Sequence, residues 1–69
     1  MENKQEICNL LCKALQATRD QYDLKELIYE EVSEDVQQVH IIYSEGGTSV
    51  NVSLDSGIAM IRDILRHIG

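Results

Sequence analysis

The side chains that could do chemistry in this chain are two cysteines, two histidines and a set of clustered acids. Cys8 and Cys12 stand four residues apart and could offer two thiolates from one helix. A closed zinc site needs four ligands, and the spacing of His40 and His67 matches no such site. Side chains one helical turn apart also rarely suit a disulfide. We therefore expect small apolar side chains on the flank of a helix, with no metal and no cofactor.

The histidines cannot be joined to a nucleophile from the sequence. His40 lies in a predicted strand, and His67 lies in the last turn of a predicted helix, where Asp63 is one turn away and suits a surface ion pair. At the start of the same helix, the Asp55 carboxylate is expected to cap the helix by accepting a hydrogen bond from the N–H of Gly57 or Ile58. The sequence therefore predicts no catalytic residues and no enzyme.

The acids are the feature with the most functional content. The 69 residues carry 12 Asp and Glu against 6 Lys and Arg, a net charge of −6, which argues against direct binding to nucleic acid. One interpretation is a solvated strand edge whose charges prevent aggregation. The sharper one is a negative surface that occupies a basic groove of a protein partner. The predicted partner-binding acids are Glu26, Glu30, Glu31, Glu34, Asp35 and Glu45.

The apolar pattern predicts the elements that position these residues. They are a helix over residues 3–18, strands over 27–32, 36–43 and 48–54, and a helix that begins at residue 55 and runs to 68. Val39, Ile41 and Tyr43 should face inward from the second strand, and Val50, Val52 and Leu54 from the third. The buried stripes of the helices are predicted at Ile7, Leu11, Ala14, Leu15 and Thr18, and at Ile58, Ile61, Ile64, Leu65 and Ile68.

The stretch from residue 24 to residue 32 fits two structures. Asp23 with Glu26 could form a capping box, and the spacing of Leu24, Leu27 and Ile28 suits a helix. The β-branched and aromatic content favours a strand from about residue 27, and a hairpin turn at 33–35 would follow. We favour the strand.

The predicted fold is α+β, with the order α-β-β-β-α in a single domain, 1–69, and both helices on one face of a three-stranded antiparallel sheet. The other face would be open and would carry His40, Ile42 and Asn51, a candidate face for a homodimer. A core this small is often supplemented by oligomerisation. The charged N-terminal residues and the lack of a long apolar run predict no membrane partner and a cytoplasmic protein.

Part of the sequence resembles small uncharacterised proteins of phages and prophages of Gram-positive bacteria. The resemblance covers residues 38–68: a strand that ends at Tyr43, a Gly-containing turn, an Asn-Val strand and then Asp55-Ser56-Gly57-Ile58-Ala59-Met60-Ile61. In plan and charge the chain is also similar to acidic anti-CRISPR inhibitors of Cas9, some of which mimic DNA. Those resemblances imply an inhibitory binding protein in a bacterial host cell.

The same element order occurs in double-stranded-RNA-binding domains. Those domains carry a lysine cluster at the start of the last helix, where this chain has residues 55–60 without a lysine. RNA binding is therefore rejected. The first hypothesis is a phage-derived inhibitor of a host nucleic-acid-handling complex such as Cas9, which acts by steric and electrostatic mimicry of nucleic acid. The alternative is an interaction module that forms a homodimer through the open sheet face or a free strand edge. A third hypothesis is sequestration of a small molecule between subunits, with Tyr29, Tyr43 and Arg62 as its contacts.

Overall fold

The helices and strands follow the predicted order α-β-β-β-α. A computed structural model describes residues 3–68, and its elements are α1 (Lys4–Gln16), β1 (Leu24–Ser33), β2 (Val36–Tyr43), β3 (Gly46–Asn51) and α2 (Gly57–Ile68). The strands form one antiparallel sheet in the order β1-β2-β3. Both helices contribute to one core on the same side of the sheet. The α+β prediction with one open sheet face is therefore confirmed.

The core lies between the helices and the inward face of the sheet. Its buried side chains are Cys8, Cys12, Leu24, Leu27, Val39, Ile41, Val50, Val52, Met60 and Ile64. In α1 the two cysteines are the buried residues, so their predicted place on the flank of the helix is wrong. The apolar stripe of α1 is wide, and the helix turns the cysteine side of this stripe toward the core instead of the predicted centre of the stripe. Ile7, Leu11 and Leu15 pack half-buried at the border of the core.

Strand β1 explains why its sequence fits both a helix and a strand. The pairing with β2 shifts register between Leu24 and Glu26, which marks a β-bulge or a similar irregularity. As a result Leu24 and Leu27, three residues apart, are both buried. This spacing imitates the period of a helix, although the segment is a strand that begins three residues before the predicted start.

The prediction for the end of β3 is wrong at Leu54. Val52 is fully buried as expected, whereas Leu54 is 77% exposed. The strand ends at Asn51, so the alternation of faces does not continue to residue 54. Leu54 instead adopts a left-handed backbone conformation with φ of 62°, which is unfavourable for a bulky residue.

Helix α2 begins at Gly57, and its cap is Ser56 rather than the predicted Asp55. The Ser56 Oγ accepts a hydrogen bond from the Ala59 N–H at 3.2 Å. The buried side of α2 is formed by Gly57, Met60 and Ile64. The predicted stripe is therefore partly wrong, since Ile58 and Leu65 are exposed. Apolar side chains span about 160° of the helix circumference, at about 100° per residue, and only part of that arc can face the core.

The carboxyl groups of Asp55 and Asp63 lie together beside the start of α2. The pKa of Asp55 is raised above its ordinary value, mainly by a hydrogen bond with the Asp63 carboxyl group and to a smaller extent by burial. The backbone carbonyl of Asp55 accepts a hydrogen bond from the Lys4 ammonium at 2.6 Å. Among the described residues, the ion pair that was predicted between Asp63 and His67 does not form. His67 instead places its Nε2 3.4 Å from the Thr48 hydroxyl.

Replacing Asp55 with asparagine is expected to stabilise the protein at neutral pH and to lose that advantage in acid. Because the folded state raises this pKa, wild-type stability falls as pH increases from the ordinary carboxyl pKa through the raised one. Asparagine removes the repulsion from Asp63 at every pH. Thermal unfolding of both proteins between about pH 3 and about pH 7 checks this. An advantage that is unchanged across this range would contradict it, and Asp20→Asn, in an exposed loop, is the control.

Candidate contact surface on the open sheet face

The sheet face opposite the helices is formed by alternate residues of all three strands. We call it the open face, and its register places on it Glu26, Ile28, Glu30, Gln38, His40, Ile42, Gly47, Ser49 and Asn51. The residues between them, such as Leu27, Val39 and Val50, point to the core. The predicted alternation of β2 is therefore confirmed, and His40, Ile42 and Asn51 all lie on this face.

His40 is the centre of a hydrogen-bonded row that crosses all three strands. Its Nδ1 lies 2.9 Å from the Ser49 hydroxyl, and its Nε2 lies 2.7 Å from the Glu30 carboxylate. The same carboxylate oxygen accepts a hydrogen bond from the Gln38 amide at 2.9 Å. Ser49 is the cross-strand partner of His40, whereas Glu30 lies diagonally from it. The row therefore fixes four polar side chains in one orientation on a solvent-exposed sheet.

The Glu30 carboxylate is the charged member of this row. Its hydrogen bonds from His40 and then Gln38 hold its pKa below the ordinary value. With a neutral His40, the Nε2–H donates to Glu30 and the Nδ1 accepts from the Ser49 hydroxyl; with a protonated His40, both ring nitrogens donate. The carboxylate accepts a hydrogen bond from His40 in either state, which favours its ionised form in both.

The hydrogen-bonded arrangement of Ser49, His40 and Glu30 matches that of the nucleophile, the general base and the orienting carboxylate in acyl-transfer enzymes. Such an enzyme also needs donors for the oxyanion and a pocket that holds the substrate. The depression beside the serine measures about 250 Å³ and is lined by residues such as His40, Gly47 and Thr48. Pockets for small molecules are usually about 300–1,000 Å³. The row therefore lies on an open sheet face, beside a depression smaller than that range.

The cysteines lie in the core, away from the open face. Burial raises the pKa of the Cys8 thiol to about 11, with a smaller contribution from Cys12. The thiol of Cys12 donates a hydrogen bond to the Lys25 carbonyl at 3.6 Å, and both cysteines are free. Thiols in this state are poor nucleophiles and poor ligands. Within residues 3–68, no three His, Cys, Asp or Glu side chains come together as a metal site requires.

The six predicted partner-binding acids do not form one cluster. Glu26 and Glu30 lie on the open face, while Glu31 shares the opposite face with Leu27 and Tyr29. Glu34 and Asp35 form the turn between β1 and β2. Glu45 lies in the turn between β2 and β3, at the other end of the sheet. The 8 residues of β2 separate the two turns by about 26 Å at roughly 3.3 Å per residue.

Sequence reasoning missed the contacts of His40 with Ser49 and Glu30. A signal was available in the second hairpin. A turn of two residues, Ser44 and Glu45, sets Tyr43 opposite Gly46, and counting back along both strands sets His40 opposite Ser49. The contact with Glu30 depends on the register of the first hairpin, which shifts at the Ser33 end of β1 and cannot be counted in this way.

Among the described residues, no helix is long and apolar enough to cross a membrane. No protein-family model matches the sequence, and comparison with curated proteins and with solved structures gives no match either.

Proposed function

We propose that this protein is a small binding protein that contacts a protein partner with its open face. The observation that supports this most is the ordered row of Ser49, His40, Glu30 and Gln38 on the sheet face opposite α1 and α2. Partly exposed Ile28 lies on the same face. Ordered polar groups beside exposed aliphatic side chains are typical of protein interfaces.

The charge of the open face favours a basic partner. When His40 is neutral, Glu26 and Glu30 are the charged residues among the nine that the register places on this face, and none of the nine is Lys or Arg. Glu34 and Asp35 extend the negative region past the end of the strands. A basic partner surface would be steered toward this region, at a rate that depends on salt. Nucleic acid would be repelled.

The partner class that we propose is a nucleic-acid-handling complex of a bacterial host cell, with Cas9 as the first to test. Glu26 and Glu30 are four residues apart, or about 13 Å along the strand, whereas duplex DNA carries a charge about every 1.7 Å of its axis. The carboxylates are thus much sparser than phosphates. Inhibition by this face would be mainly steric, with the acids orienting the protein in a basic groove.

The test is inhibition of DNA cleavage by the Cas9–guide RNA complex. The variant Glu26→Lys with Glu30→Lys is expected to weaken inhibition at least about tenfold. The control, Asp20→Lys with Glu31→Lys, has the same net charge and is expected to stay within about twofold of wild type. Asp20 lies in the exposed loop between α1 and β1, and Glu31 lies on the sheet face opposite the open face. Circular dichroism establishes that both variants are folded.

Salt provides a second readout in the same assay. Inhibition by the wild type should weaken between about 50 and about 200 mM NaCl, and this dependence should be smaller for the open-face variant. Equal losses in the two double variants would mean that net charge alone matters, and the open face would be rejected as the contact. No inhibition by the wild type would reject Cas9 as the partner.

A further inference from the structure

The two edges of the sheet differ in how their backbone groups are covered. At β1, the Gln5 side chain accepts a hydrogen bond from the Tyr29 N–H at 2.8 Å and donates one to the Leu27 carbonyl at 3.1 Å. The Gln16 amide donates to the Leu24 carbonyl at 2.7 Å. A side-chain amide offers the same donor and acceptor as a peptide group. Gln5 therefore occupies the position that a neighbouring strand would take.

Among residues 3–68, no strand lies beside the outer edge of β3. The register sets Tyr43 opposite Gly46, and the Val52 N–H donates to the Gln37 carbonyl at 3.0 Å. In an antiparallel pair, the residues of one parity bond to the neighbouring strand and those of the other parity turn away. Gly47, Ser49 and Asn51 therefore direct their N–H and C=O groups away from β2.

The residues of β3 lack the features that usually prevent pairing at an edge. The segment Gly46–Asn51 contains no charged residue and no proline, whereas protected edges commonly carry lysine, proline or a bulge. The chain as a whole has a net charge of −6, so two copies repel one another. The neutral β3 edge is a place where two copies can approach without setting acid against acid.

We propose that β3 pairs with β3 of a second copy of this chain. An antiparallel pairing with its two-fold axis at Ser49 sets that residue opposite the partner's Ser49 and sets Gly47 opposite the partner's Asn51. The outward groups of each copy meet those of the other, with about six backbone hydrogen bonds. A second copy fits because the edge is its own complement about this axis. The result is a continuous six-stranded sheet with both open faces on one side.

This inference does not depend on the proposed function, because it uses the backbone edge and not the open-face side chains. Few side chains are buried, so the dimer is expected to be weak, with a dissociation constant of roughly 10–1,000 µM. Sedimentation equilibrium from about 10 µM to about 1 mM should show the mass rise from 7.8 kDa toward twice that value. A mass that stays at the monomer value throughout would overturn the proposal.

Three substitutions at one position test the geometry. Ser49→Ala keeps the backbone N–H and should dimerise like wild type, whereas Ser49→Pro lacks the N–H and should be monomeric. Ser49→Lys places two ammonium groups side by side at the axis and should weaken the dimer at least about tenfold. All three variants lose the hydrogen bond between Ser49 and His40, so differences in dimerisation between them cannot come from that loss. If the proline variant does not fold, the lysine variant decides.

Amide hydrogen exchange locates the interface directly. The N–H groups of Gly47, Ser49 and Asn51 should exchange more slowly at high protein concentration, while other exposed amides should not change. A dimer that survives Ser49→Lys and leaves these three amides fast would overturn the proposal and assign dimerisation to another surface. Glu26→Lys with Glu30→Lys should dimerise at least as well as wild type, so failure of the partner assay and failure of this inference are distinguishable.

Discussion

Replacing Gln37 with leucine is expected to lower the free energy of unfolding by about 3 kcal/mol. Gln37 is 5% exposed. Its amide donates to the carbonyls of Ser33 and Glu34 at 3.0 and 2.8 Å, and its carbonyl accepts from the Leu54 N–H at 2.9 Å. Leucine has similar volume but leaves three partly buried backbone groups without these partners. Each such loss costs about 1–3 kcal/mol.

The size of this effect follows from where Gln37 sits. Its side chain joins the turn between β1 and β2 to the segment between β3 and α2 through these three hydrogen bonds. Its backbone also contacts Ser53, whose hydroxyl accepts from the Gln37 N–H at 3.0 Å. A variant in which both connections loosen should lose the left-handed conformation of Leu54 as well, because Gln37 holds the N–H of that residue.

Urea unfolding measures the change, and Gln38→Leu is the matched control. Gln38 is the next residue, lies on the open face and donates to the exposed Glu30 carboxylate. Its replacement should change the free energy of unfolding by no more than about 0.5 kcal/mol. Equal effects of the two substitutions would contradict the role of Gln37 in joining the two connections. A protein of 69 residues has roughly 3–10 kcal/mol of stability, so Gln37→Leu should remove much of it.

The fold could be predicted where one pattern had one structural meaning. Alternation in β2 correctly placed Val39 and Ile41 in the core and His40 and Ile42 on the open face. The same alternation turns Gln37 inward, so a polar residue at an inward position was the available signal for its buried hydrogen bonds. The signal went unused because the hydrogen bonds of one side chain, to the preceding turn and to the Leu54 N–H, produce no periodic pattern in the sequence.

Other features depend on geometry that the sequence pattern does not carry. The bulge at the start of β1 gave Leu24 and Leu27 a helical spacing, and the early end of β3 exposed Leu54. The acids that looked clustered are neighbours along the chain, but strand alternation and two turns separate them in space. The sequence therefore predicted which sheet face carries His40, but it did not predict the hydrogen bond between His40 and Ser49.

Replacing Ile64 with alanine is expected to destabilise the protein by about 3–4 kcal/mol. Ile64 is fully buried near the middle of α2, and it belongs to a core shared by both helices and the sheet. Truncation loses the transfer free energy of the removed methyl groups and leaves a cavity that neighbours fill only in part. Because α2 contacts both α1 and β3, the cavity would form where these elements meet.

Leu65→Ala is the control, since it removes a similar volume from the adjacent position of the same helix. Leu65 is 43% exposed, so its replacement should cost less than about 1.5 kcal/mol, and alanine's higher helix propensity offsets part of that loss. Urea unfolding of both variants measures the difference. Both Ile64 and Leu65 belong to the stripe that the sequence predicts as buried, so equal costs would support that stripe and contradict a buried side formed by Gly57, Met60 and Ile64. A cost for Ile64→Ala that is at least twice that for Leu65→Ala would instead place the centre of the α2 interface on the side of Met60 and Ile64.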